Sequence, residues 1–234
     1  MTEYRPHVSD DRASFLREWH DDVSRELHDR TAADVEYLGL SLHVPAGVFP
    51  PTPTSDLLGS QVSATAAPDM RVIDMGCGAG ANGLLAAREG AEVVAVDINP
   101  ASVAAAAANA DRNGLVVECL VSDLFDQVAG DFDLVVIDPP FRWFAAADLL
   151  ERAITDEGYE TLSRFLAEVS GRLRPGGAVL LFFGSSGDVA HLDSLIERNR
   201  LSSETVAERT IPVRGEDTTY FVRRLSLRGA GSAG

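Results

Sequence analysis

Lysine is absent from this chain of 234 residues; all 20 of its basic residues are arginine. Against them stand 36 aspartates and glutamates, giving a formal net charge of −16 at pH 7. Affinity for nucleic acid rests largely on phosphate neutralisation by Lys and Arg, so this balance disfavours a large RNA or DNA and favours a small molecule or protein partner. Cysteine is scarce as well. Cys77 and Cys119 are too few for a disulfide framework or a cysteine-rich zinc site. No cluster of His, Cys and carboxylate residues has metal-ligand spacing, so no metal is expected. No apolar run approaches the roughly 20 residues that span a bilayer, and no basic and then apolar leader opens the chain. A cytoplasmic protein with no membrane partner is the expectation. With 45% hydrophobic residues the chain can bury a full core, and its length fits one α/β domain with a modest appendage.

The N-terminal 30 residues carry a helical pattern. Ser9 and Asp10 offer a cap, and Phe15, Leu16, Trp19, Val23 and Leu27 recur at helical spacing. Leu38, Leu40, Leu42 and Val44 alternate as in one strand, and Val48-Phe49 reads as a short return strand. The run Pro50 to Asp56 excludes helix interior and central strand, and the small polar residues 59–69 read as a connection. From residue 71 strands alternate with helices: RVIDMG, EVVAVD, LVVECLVSDL, FDLVVID and AVLLFFG as strands, with helices at 81–89, 101–112, about 145–171 and 188–199. Such alternation predicts a parallel sheet covered on both faces. The last strands, roughly 204–211 and 218–227, are too close for a crossover and predict an antiparallel hairpin through Arg214 to Asp217.

Three glycines in five residues, Gly76, Gly78 and Gly80, follow the buried strand that ends in Asp74-Met75 and precede a helix. Glycine serves where backbone approaches a ligand closely, and a helix N-terminus presents free N–H groups. An ordinary strand-to-helix turn rarely needs three glycines, so a nucleotide-like ligand is the better reading. The glycines alone suit a dinucleotide or an adenosyl ligand equally. Asp97 closes the second strand, 21 positions after Gly76, where a carboxylate reaches ribose hydroxyls. Asp123 ends the third strand, where it either accepts from an adenine amino group or solvates its loop. Asp138-Pro139-Pro140-Phe141 ends the fourth. Two prolines remove two donors there, leaving an aspartate and carbonyls to accept from an NH₂ group beside a stacking ring.

VIDMGCGAG, VAVDINP, SDLF and VIDPPF, in that order over residues 71–185, resemble class I S-adenosylmethionine-dependent methyltransferases. The Asp138–Phe141 tetrad is similar to the (D/N)PP(Y/F) motif of the amino-methyltransferases in that class. Val48 to Thr54 resembles the proline-containing segment preceding the catalytic domain in the release-factor and ribosomal glutamine enzymes. Two features depart from the glutamine enzymes, which usually carry Asn-Pro-Pro-Tyr: Asp138 and Phe141 replace those ends, and residues 1–69 are short and acidic, with 5 arginines against 12 Asp plus Glu. The resemblance implies a Rossmann-like seven-stranded, mostly parallel sheet with a terminal antiparallel hairpin and a small N-terminal helix and strand extension. Residues 1–69 would be a substrate lid and 70–234 the methyltransferase domain.

By the same resemblance Asp74, Gly76, Gly78 and Gly80 surround the methionine part of S-adenosylmethionine, Asp97 holds the ribose, Ile98 flanks the adenine and Asp123 binds its amino group. Asp138, Pro139 and Phe141 grip the acceptor nitrogen. Thr52, Thr54, Arg142 and Trp143 are secondary candidates for the acceptor pocket. His43 reads as a surface histidine, and Cys77 as a small side chain with no chemistry. The function implied is N-methylation of an amide, guanidine or arylamine on a small molecule or protein side chain. The alternatives are an RNA or DNA amino-methyltransferase, a nicotinamide-dependent oxidoreductase, which leaves Asp138–Phe141 unexplained, and a cofactor-binding scaffold without turnover.

Overall fold

A computed structural model describes residues 4–229. Helix α1 (Asp10–His28) starts at Ser9, whose hydroxyl accepts from the Arg12 amide, and buries Leu16, Trp19, His20 and Leu27. The leucine alternation that follows is not one strand. Strands β1 (Ala33–Tyr37) and β2 (Leu40–Val44) pair antiparallel around Leu38 and Gly39, whose φ values of 46° and 82° reverse the chain. Leu38 sits at the turn and is 39% exposed, so its place in the alternating pattern came from joining two strands. Val48 and Phe49 are loop.

Residues 56–65 form helix α2 (Asp56–Thr65), in place of the expected connection. Leu57, Leu58 and Val62 are buried against the sheet, and that packing overrides the poor helix propensity of Gly59, Ser60, Ser63 and Thr65.

The remaining elements are β3 (Arg71–Met75), α3 (Ala81–Arg88), β4 (Glu92–Asp97), α4 (Pro100–Arg112), β5 (Glu118–Val121), β6 (Phe132–Ile137), α5 (Glu160–Val169), β7 (Leu173–Gly184), α6 (Val189–Arg198), β8 (Leu201–Val213) and β9 (Glu216–Leu227). The seven strands β3–β9 form one sheet in the order β5-β4-β3-β6-β7-β9-β8. Strands β3 to β7 run parallel, and β9 lies antiparallel between β7 and β8. The expected architecture, mostly parallel with a final hairpin, is the one observed.

Strand alternation separates the core into two faces. Ile73, Val94, Val96, Val135, Ile137, Val179 and Leu181 pack with Leu16 and Trp19 of α1 and the apolar sides of α5 and α6. Val72, Val93, Leu134, Val136, Leu180 and Phe182 pack with α2, α3 and the β1–β2 hairpin. Chain order reverses at β3, which has β4 on one side and β6 on the other. Ligands of open parallel sheets bind at the carboxyl ends of the strands flanking such a reversal.

The stretch about 145–171 is not one helix. Only Glu160–Val169 is α-helical, and before it the chain runs through an irregular loop with two short 3₁₀ turns. Internal bonds shape that loop: Thr155 Oγ1 donates to the Phe144 carbonyl, the Asp156 amide to the Arg142 carbonyl, and Tyr159 Oη to the Phe141 carbonyl. The Asp156 carboxylate then caps α5, accepting from the Thr161 and Leu162 amides. Arg174 to Gly177 fall in a bulge near the start of β7: Phe132 pairs with Leu173 and Leu134 with Ala178. Among the described residues no helix is long and apolar enough to cross a membrane.

The β8–β9 turn is two residues, Arg214 and Gly215, with φ values of 53° and 82°. Nothing lies within 4 Å of a Cβ added at Gly215, so Gly215→Ala probes backbone conformation alone. It should cost about 1 kcal/mol, a fall in Tm of about 2–4 °C in a chain of this size. An unchanged Tm in a thermal melt would contradict this turn geometry.

Candidate functional site

The glycine loop is anchored through its backbone. The Gly76 and Cys77 amides both donate to the Val96 carbonyl, at 2.8 and 2.9 Å. The Gly78 amide donates to Asp97 Oδ2 at 2.9 Å, and the Asn99 amide to Asp97 Oδ1 at 2.8 Å. Asp97 is thereby fixed with one donor on each oxygen. An ionised carboxylate has further lone pairs, which here are available to a ligand. Burial pushes its pKa up, while the backbone amides oppose that rise.

The loop ends at Gly80, the N-cap of α3, with φ of 89°; a Cβ there would lie 3.0 Å from Ala106 of α4. The next two amides, of Ala81 and Asn82, have no acceptor among the described residues and belong to the lining of a cleft. The third, of Gly83, donates to Asp74 Oδ2 at 2.8 Å. Asp74 is therefore an internal cap that ties β3 to α3.

The cleft has a volume of about 800 Å³ and runs along the carboxyl ends of β3, β4, β5 and β6. Gly76, Cys77, Gly78, Asp97, Ile98, Asp123, Asp138, Pro139, Phe141, Arg142, Thr52 and Thr54 all line it. Asp74, Gly80, Trp143 and His43 do not. Asp74 and Gly80 are turned into the β3–α3–α4 packing. Trp143 is buried against Phe144 and Tyr159. His43 sits at the surface, bonded to Asp34. Ile98 leaves an apolar side chain 37% exposed to the cleft, and Asp123 at the rim is bonded to Arg164 at 3.0 Å. Cys77 is a free thiol, pushed up in pKa by burial.

Asp138 occupies the floor where β6 ends. It is only partly open, toward the cleft, and its carboxylate has no hydrogen-bond partner among the described residues. Confinement by the protein, and then the nearby Asp74 carboxylate, push its pKa up to about 7. Asp74 rises to about 7 as well, mainly by burial. Phe141 packs against Phe182, Phe183 and Tyr220 with ring centroids 5.6, 5.0 and 6.1 Å away. Helix α1 closes the far wall with Trp19, His20 and Val23. The sequence pattern marked Trp19 and Val23 only as core, and His20, bonded to Glu151 at 2.9 Å, gave no signal. The wall holds seven carboxylates against two guanidiniums, of Arg142 and Arg152, so it favours a cationic ligand.

The methyltransferase small domain family matches residues 40–207. The release factor glutamine methyltransferase of Haemophilus influenzae is 33% identical over 178 residues, covering 64% of this chain and 60% of that protein. The ribosomal RNA small subunit methyltransferase C of Chromohalobacter salexigens is 37% identical over 111 residues, 47% of this chain and 30% of that one. Among solved structures, the T. thermophilus 16S rRNA N2 G1207 methyltransferase, in complex with AdoMet and guanosine, superposes with a TM-score of 0.62 at 28% identity. That alignment covers 84% of this chain and 50% of the other. The chain thus spans half or somewhat more of two of these proteins and under a third of the other.

The raised pKa of Asp138 has a consequence for stability. The folded protein retains a proton that the unfolded chain releases near pH 4, so the stability tied to that proton is complete below about pH 4 and is lost as pH rises through about 7. Asp138→Asn removes the cost of ionising this site. The mutant should gain more in Tm over the wild type at pH 8 than at pH 5, measured by paired thermal melts. An equal difference at the two pH values would contradict the buried-carboxylate environment.

Proposed function

The chain belongs to the methyltransferase small domain family, and from that premise we propose that it methylates a planar nitrogen, of an amide, guanidine or arylamine, on a small molecule or protein side chain. Membership of that S-adenosylmethionine-dependent family displaces the nicotinamide reading of the glycine loop. The observation that carries the nitrogen reading is Asp138: a carboxylate without a protein partner, set before two prolines, on the same cleft as Asp97 and the glycine loop.

The residues present fit the donor. Asp97 has lone pairs free for ribose hydroxyls, Ile98 offers an apolar face for a purine, and the Ala81 and Asn82 amides at the start of α3 suit a carboxylate. The acidic wall complements a sulfonium. When bound, the donor supplies an electrophilic methyl group, so the protein's task is to hold a nucleophile in line. A planar nitrogen is a weak nucleophile because its lone pair is delocalised. Accepting its two N–H groups at the Asp138 carboxylate and the Pro139 carbonyl favours the pyramidal form with a localised lone pair. Fixed acceptors act this way in the transition state more than in the ground state. Residues 1–69 serve as the acceptor-side lid in this reading, since Trp19, His20, Thr52 and Thr54 reach the same cleft.

A second reading, methylation of a nucleobase amine, draws on the guanosine held by the T. thermophilus enzyme. The carboxylates of Asp148, Asp156, Glu157 and Glu160 at the cleft weigh against it, because they repel a phosphate backbone.

Calorimetry with S-adenosylhomocysteine and NADH should give binding to the first alone, and Asp97→Ala should weaken it by about 1–3 kcal/mol through lost charge-assisted hydrogen bonds. Asp138→Ala should leave that affinity intact and lower turnover about 10²-fold or more, with Asp138→Asn between, since one acceptor oxygen remains. Full turnover by Asp138→Ala would remove the nitrogen assignment. A salt-sensitive affinity for a defined oligonucleotide would favour the nucleobase reading.

A further inference from the structure

Arg142 follows directly on the Asp138–Phe141 loop and lines the cleft, yet it is only 7% exposed. Its guanidinium lies over the Trp19 ring, 4.4 Å from the centroid, and Nη1 donates to the Ser186 carbonyl. Among the described residues no carboxylate pairs with it. Nε is buried with no hydrogen-bond partner. Nη2, on the same edge of the fork, also lacks an acceptor, but unlike Nε it is not sealed from solvent.

A buried guanidinium is ordinarily paired, because an isolated charge loses its hydration without return. Here the Trp19 face and one carbonyl hold the group in place while one edge stays unmatched. Carboxylates are plentiful along the cleft, but none is turned onto that edge. Nη2 is the donor of that edge a ligand can reach, and a carboxylate oxygen set there makes a charge-assisted hydrogen bond to the guanidinium. A phosphate dianion would bring twice the charge into a wall that is otherwise acidic, whereas a single carboxylate balances a single guanidinium.

We propose that Arg142 binds a carboxylate of the acceptor, and that the acceptor is a small molecule short enough to set that free carboxylate on Arg142 while its methyl-accepting nitrogen lies at Asp138 and Pro139, in the one cleft that these residues line. This narrows the acceptor class and rests on the nitrogen-methylation reading. A glutamine side chain within a polypeptide offers no such group beside its amide, so the free amino acid or a compound like it fits better.

The test uses the full chain saturated with S-adenosylhomocysteine and matched pairs of compounds that differ in the carboxylate: L-arginine and agmatine, L-glutamine and 4-aminobutanamide, aminobenzoate and aniline. In calorimetry the carboxylate member of at least one pair should bind tenfold or more tightly than its twin. Arg142→Gln should erase that preference while keeping S-adenosylhomocysteine affinity, which also reports that the variant is folded. Arg142→Lys, which retains the charge but loses the planar group that the Trp19 ring and the Ser186 carbonyl hold in place, should keep only part of the preference. Equal affinities within every pair, no binding by any compound, or a preference unchanged in both variants would overturn the proposal while leaving the donor reading standing. Failure of the wild-type protein to bind S-adenosylhomocysteine would overturn the donor reading, and this inference with it.

Discussion

Three successive backbone amides, those of Gly76, Cys77 and Gly78, are committed to the end of β4, two to the Val96 carbonyl and one to the Asp97 carboxylate. The rest of the site depends on this anchoring. It holds the glycine loop close against β4, so that α3 begins at Gly80 with its first amides turned to the cleft. It also orients Asp97 by bonds from both sides, so the carboxylate we propose for the ribose is held in place before any ligand arrives. The parallel pairing of β3 with β4 and with β6 then places Asp138 on the same edge, one strand away.

The two halves of the cleft solve different electrostatic problems. At the end we assign to the donor, backbone amides oppose the effect of burial on Asp97 in part, and its pKa is still raised. At the end we assign to the acceptor, Asp138 has no such compensation, and its pKa is pushed up to about 7. A polar group left unmatched in the folded state costs stability and is retained where a ligand supplies the missing partner. Arg142 has the same character with the opposite sign. In our proposal this carboxylate and this guanidinium, each incompletely matched and four residues apart, take an acceptor with donor hydrogens at one end and an anion at the other.

Much of this was legible in the sequence because the sheet strands are short apolar runs ending in Gly or Asp. RVIDMG, EVVAVD and FDLVVID marked β3, β4 and β6, and the sheet edge followed from their order. Elements whose local signal conflicts with their packing were not legible. Leu38 kept the period of a strand while occupying a turn. Helix α2 is built from small residues that read as linker until Leu57, Leu58 and Val62 find the sheet. The segment 144–159 is rich in alanine and leucine, but its helical bonds are confined to short turns, while the Asp156 and Gly158 amides and the Thr155 and Tyr159 hydroxyls bond back to the carbonyls of residues 141–144. Within the site, Asp74 fell on the donor motif yet serves as an internal cap. The burial of Arg142 had no sequence counterpart, since arginine is ordinarily exposed.

We propose that one cleft receives the donor at the ends of β3 and β4 and presents its reactive sulfur to the loop at the end of β6. A crystal structure of the protein with S-adenosylhomocysteine bound tests this most directly. In that structure the ribose hydroxyls should lie on the Asp97 carboxylate, the adenine against Ile98, and the sulfur facing the space above Asp138 and Pro139. A ligand bound elsewhere, or bound in the cleft with its sulfur directed away from Asp138, would contradict it.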